Sequence, residues 1–168
     1  RQHRTRPGHV HRRPSRQNHL AVVGVGSGDA VRRMLESLDV DSVVSGGPTM
    51  NPSTEDLLAA VESVPSSDVL LLPNNGNIIM AAQQVPQLTK KRVRVVPSRS
   101  LPQGIASLFA FDFSADLEQT AHPMTHALNE VRPVEVTRAV RSTTVEWLAT
   151  AEGDVIGLPN DRSVASSQ

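Results

Sequence analysis

The chain has 168 residues, 38% of them hydrophobic and none of them cysteine, which suits one domain or one domain plus the beginning of another and rules out both a disulfide framework and a thiolate site. Aromatic residues make up only 2%, too few to stack a run of bases, and no apolar run is long enough to cross a bilayer. The formal net charge of zero hides an asymmetry, because Arg1, Arg4, Arg6, Arg12, Arg13 and Arg16 stand before any acidic residue, leaving a net-acidic remainder that is a poor general binder of phosphate backbones.

Residues 1–19 show no apolar periodicity and read as a basic flexible tail or linker. His3, His9, His11 and His19 lie in it without acidic companions or helical spacing, so they belong to a solvated tail more readily than to a metal site. The stretch also lacks the apolar segment of a secretory leader, and the expected compartment is the cytoplasm.

Leu20 to Val25 reads as a buried strand, followed by a turn at Gly26-Ser27-Gly28. Val31, Met34, Leu35 and Leu38 then share one face of a helix, and Asp39 breaks it into a short strand around Ser42-Val43-Val44. Ser53, with Asp56 three residues later, announces the next helix as a capping box, and Leu57, Leu58, Val61 and Val64 supply its apolar stripe. Asp68 to Leu72 has the near-continuous apolar character of a strand covered on both faces. A helix running through Met80, Ala81, Gln84 and Leu88 is ended or kinked by Pro86. Arg92 to Val96 is a further strand, Leu101-Pro102-Gln103-Gly104 opens another helix, and Ser114 is the expected cap of one from Ala115 to about Glu130.

Strand and helix alternate four times, which predicts an α/β fold, a parallel sheet with helices on both faces, over residues 20–131. From Arg132 the pattern changes. Val134 to Val140 and Thr143 to Trp147 alternate as strands do, so residues 132–168 read as the beginning of a second, β-containing lobe that is truncated at Gln168.

Ligands of a parallel sheet sit beyond the C-terminal strand ends. Gly24-x-Gly26-x-Gly28-Asp29 has the glycines of a phosphate-binding turn but not their usual spacing, and a tight turn accounts for it. Gly46, Gly47, Thr49, Met50, Asn51, Ser53 and Thr54 form a loop able to hold a carboxylate or phosphate through backbone and hydroxyl donors, or simply to build a turn and a cap. Asn74, Asn75 and Asn77 crowd the next loop, and Ser98, Arg99, Gln103 and Gly104 the one after, which together suggest a polar cleft. No Walker loop, carboxylate pair or serine–histidine arrangement accompanies them, so no catalytic residue is assigned. His122 and His126 are four apart on a predicted helix, but with Pro123 between them and no third ligand they read as a solvent-facing pair, and no metal is expected.

These loops carry a resemblance. Gly46 to Asp56, Leu71 to Asn77, Pro97 to Gly104 and Val136 to Thr144 resemble successive blocks of the DegV-like C-terminal domain of dihydroxyacetone-kinase-like proteins, the family of the ATP-binding subunit of bacterial fatty acid kinase. The resemblance runs from about Leu20 to about Leu158 and adds Arg141, Thr143 and Thr144 to the candidate loops. It implies a parent protein, a homodimer, whose other domains bind ATP and magnesium, and a separate DegV-type subunit carrying a fatty acid that is phosphorylated on its carboxylate. The stretch in hand would be the third part of that protein and would stop short of the family's domain end. Gly76 stands where the family commonly has Lys, Arg138 where it has Tyr, and Ser142 where it has Asp, so the cation of the Asn74 loop is missing.

Two functions follow as expectations. The first is a non-catalytic docking and dimerisation domain with no cofactor of its own, presenting the kinase to its fatty-acid-binding partner. The second is a self-sufficient module that binds a small ligand or a fatty acid. Neither involves nucleic acid or a membrane span.

Overall fold

The computed structural model describes residues 20–45 and 51–131, together with the backbone of four short strands between 134 and 159. Four strands, β1 (Ala21–Val25), β2 (Ser42–Val44), β3 (Asp68–Leu72) and β4 (Arg92–Val95), form an all-parallel sheet in the order β2-β1-β3-β4. The two inner strands are the ones with the most continuous apolar runs. Every residue of β1 is buried, as are all but the first of β3, because each face of an inner parallel strand is covered by a helix layer.

Strand side chains alternate between those layers. Val23, Val25, Val69 and Leu71 pack against α2 (Thr54–Ser63) and α3 (Ile79–Gln84) through Leu57, Val61 and Ala82. Val22, Leu70 and Leu72 pack on the other face against α1 (Asp29–Ser37), α4 (Leu101–Phe109) and α5 (Leu117–Ala127), through Leu35, Leu117 and Met124. The expected α/β class, with helices on both faces, is therefore the observed one. No helix among the described residues is long and apolar enough to cross a membrane.

Local chemistry fixes both ends of α2. Ser53 Oγ accepts the Asp56 amide at 3.1 Å while Asp56 accepts the Ser53 amide at 2.9 Å, the reciprocal bonds of a capping box. The Ser53 amide, followed by its hydroxyl, holds the Asp56 carboxyl below its ordinary range. At the far end the Lys91 ammonium donates to the carbonyls of Val61, Glu62 and Val64 at 2.8, 3.3 and 2.5 Å. A cation thus sits where the last carbonyls and the helix dipole favour one. On β4, Arg92 forms a two-pronged pair with Asp68, and Arg94 Nε lies 2.6 Å from Glu118 of α5.

One expectation is met and one needs correction. The helix through Met80 ends at Gln84, just before Pro86 in a 3-10 turn. This stretch buries Ile78, Ala82 and Val85, while Met80 and Leu88 are 76% and 57% exposed. The apolar pattern there is compatible with two faces, and the one without Met80 meets the sheet. The last helix is capped by Asp116, whose side chain accepts the Gln119 amide at 2.8 Å. Ser114 instead closes a turn on Asp112, donating to its carboxylate through both amide and hydroxyl at 2.8 and 2.7 Å.

Beyond residue 131, β5 (Val134–Arg138) runs antiparallel to β8 (Val155–Pro159), and β6 (Thr143–Val145) antiparallel to β7 (Leu148–Thr150). The first members of both pairs coincide with the alternating stretches of the sequence. The basic tail, residues 1–19, lies outside the described residues.

Candidate functional site

A parallel sheet delivers all four strand C-termini to one rim. The strand order reverses between β1 and β3, since the chain leaves β1 outward to β2 and returns to β3 on the other side. With α1 on one face and α2 on the other, a crevice opens at that switch point. Here it measures about 290 Å³. Val25, Val31, Ile78 and Leu101 give it largely apolar walls, and Ser27, Asn74 and Asn75 place polar atoms in them. Gly28, with φ of 86°, turns the chain from Ser27 into α1 and offers no side-chain cap to its first amides, a conformation that glycine adopts at little cost.

Asn74 joins the loops around this crevice. It sits in the left-handed region, φ 55°, which asparagine tolerates better than most residues. Its Nδ2 donates to the Val25 carbonyl at the end of β1 at 2.9 Å. Its backbone N–H donates to Ser98 Oγ at 2.9 Å, and that hydroxyl donates back to Asn74 Oδ1 at 2.8 Å. Ser98 is fully buried, so the pairing satisfies a polar group that would otherwise carry a desolvation cost. Gly104, in the first turn of α4, permits the arrangement: a Cβ there would lie 1.9 Å from Asn74 Oδ1. Three loops and one helix are therefore locked by one side chain.

The other residues singled out by sequence have local duties. Asn75 lines the crevice and accepts the Asn77 amide at 2.9 Å, leaving Asn77 exposed at the loop tip. The Arg99 carbonyl accepts the Gly76 amide at 3.1 Å, and its amide donates to Gln103 Oε1 at 2.8 Å. Gln103 Nε2 in turn donates to the Leu128 carbonyl at 3.2 Å, tying α4 to the turn that follows α5. Ser53 caps α2, Thr54 Oγ1 lies 3.4 Å from Gln84 Oε1 of α3, and Asn51 is exposed just before them. Gly46, Gly47, Thr49, Met50 and Arg141 lie outside the described residues. Thr143 and Thr144 belong to β6, opposite Thr150 and Ala149 of β7.

Sequence reasoning missed Ser27, Val31 and Leu101 as crevice residues. The signal that finds them is strand order, which locates the switch point. His122 and His126 are both exposed on α5, and no three potential metal ligands converge among the described residues.

The FakA-like C-terminal family of fatty acid kinase matches residues 21–168. Protein YloV of Bacillus subtilis is 36% identical over 155 residues, which cover 92% of this chain and 28% of that protein. An uncharacterized protein of Staphylococcus epidermidis is 36% identical over 146 residues, covering 87% of this chain and 26% of its own. One from Staphylococcus haemolyticus is 37% identical over 147 residues, with coverages of 88% and 27%. The chain thus spans about a quarter of the length of these relatives.

Proposed function

We propose, from the premise that this chain belongs to the FakA-like C-terminal family of fatty acid kinase, that the rim at the C-terminal strand ends is a docking surface. Through it the parent kinase would engage a separate protein that presents a fatty acid for phosphorylation of its carboxylate. ATP and magnesium would be held elsewhere in the parent protein. The observation that carries the reading is the cross-linked rim: loops fixed to one another by Asn74 carry outward-facing Asn77 and Arg99, with Asn51 exposed before α2 and Met80 at 76% exposure in the first turn of α3. A rigid platform with amides, a guanidinium and an exposed apolar anchor loses little conformational freedom on binding.

A second reading draws on the crevice itself. Its volume and mostly apolar walls suit a small amphiphilic ligand more than a phosphate, as a self-sufficient binding module would require.

The test uses the parent kinase carrying Met80→Asp and Arg99→Glu. Biolayer interferometry against the fatty-acid-binding partner is expected to show affinity reduced at least about tenfold, the effect of removing an interface anchor, with ATP binding unchanged. Unaltered affinity would overturn the docking reading. An acyl chain retained by the isolated domain in native mass spectrometry would favour the second reading.

A further inference from the structure

We propose that the arginine-rich segment preceding Leu20 docks on an aromatic and acidic patch at the opposite rim of the sheet, where β1 begins. The patch is unusual for this chain. All three of its phenylalanines, Phe109, Phe111 and Phe113, fall within five residues, from the last residue of α4 into the link to α5. Phe109 and Phe113 are 78% and 60% exposed, and Phe113 meets Phe111 edge to face with centroids 4.7 Å apart. Exposed rings grouped in this way mark an interaction surface more often than scattered ones do.

Carboxylates surround the rings. Asp112 lies between Phe111 and Phe113, and the Ser114 hydroxyl, followed by its amide, keeps its carboxyl below the ordinary range and therefore charged. Asp39 and Asp41 line the same shallow depression as Phe111, Phe113 and Leu38. Asp41 is anchored there, accepting the Val22 amide at 2.8 Å.

The occupant is named by connectivity and charge. Leu20 itself lines the depression, so the segment ending at His19 is bonded directly into the patch. Arg16, Arg13 and Arg12 lie four to eight residues upstream, within about 14 to 28 Å of Leu20 even if fully extended. A tether this short gives an effective concentration in the millimolar range, so a dissociation constant about tenfold below that keeps the segment docked roughly nine-tenths of the time. Guanidinium groups pair with carboxylates and also stack on ring faces, a combination that Asp112 between two phenylalanines offers. No acidic residue within the first nineteen competes for those arginines. A second copy is the poorer occupant, since it would bring one acidic body against another.

Limited trypsin digestion of the full chain tests this, following the bonds after Arg12 and Arg16 by mass spectrometry. A synthetic peptide of residues 1–19 gives the undocked rate for Arg12 and Arg16. At low ionic strength cleavage in the chain is expected to be about tenfold slower than in the peptide, with the difference lost near ~0.5 M salt, where exposed charges are screened. The Phe109→Ser/Phe113→Ser double variant replaces solvent-facing rings, and its thermal melt reports whether it folds. It is expected to be cut at the peptide's rate. Cleavage of the parent chain at that rate in low salt would sink the proposal. So would protection that survives in the folded double variant, or protection that grows with protein concentration alongside a dimer in sedimentation, which would identify a second copy as the occupant.

Discussion

At one rim of the sheet, Asn74 reaches the end of β1, the buried Ser98 hydroxyl and the backbone of α4 across 49, 24 and 30 positions of sequence, and polar atoms there are satisfied by one another. At the other rim, Phe109 and Phe113 stand largely in solvent beside Asp112, whose carboxylate accepts from the amide and hydroxyl of Ser114, two residues on. The contrast separates two ways of shaping a surface. Long-range hydrogen bonds fix the positions of loops, so a change in one is felt by all. Side chains added to an already finished backbone can be exchanged with little effect on the fold.

The severest way to break the comparison is Gly104→Ala. Its Cβ cannot coexist with the Asn74 amide, so the amide must leave its position or α4 must shift. We expect a loss of about 3 kcal/mol in urea unfolding, at the upper end of what overpacking costs. Asn74→Ala comes next, at about 2 kcal/mol, because it strands the Val25 carbonyl and deprives the buried Ser98 of its acceptor. Combining the two sharpens the point. Once Asn74 is alanine the clash at Gly104 has no partner, and the double variant should be more stable than the sum of the single losses predicts, a non-additivity that a double-mutant cycle measures.

The smallest effect lies on the pH axis, where the two rims behave alike. Asp56 and Asp112 are both held below the ordinary carboxyl value of 3.8 by hydrogen bonds that favour the charged form. The stability each contributes is therefore fully present above that value and is lost as pH falls through the lower folded one. Asp56→Asn and Asp112→Asn should each flatten the acid limb of a stability profile, with no change in its slope near neutrality. Both groups are exposed, so the effect is small and screened by salt.

The layered architecture was legible because each element carries its own instruction. The unbroken apolar runs of β1 and β3 specify inner strands, and Ser53 with Asp56 specifies where α2 starts. Where two local solutions compete, the sequence does not choose between them. Ser114 and Asp116 are both competent caps, and the structure uses Asp116 for the helix while Ser114 closes the turn on Asp112. Along α3, Ile78, Ala82 and Val85 meet the sheet and Met80 and Leu88 do not. The candidate site was legible only as a gathering of amides and hydroxyls. That Asn74, Ser98 and Gly104 form one unit depends on contacts between distant positions, and the crevice walls at Val31 and Leu101 depend on strand order. Neither is encoded in local spacing.

The outer strand β4 has a further consequence. Its two arginines are held by Asp68 and Glu118, and the strand at the other side of the sheet, β2, is three residues long. Charge on one flank and brevity on the other are the features that keep a sheet from templating a neighbour's backbone. Copies crowded together during synthesis would meet solvated ion pairs along this flank of the parallel sheet, which disfavours edge-to-edge pairing of that sheet.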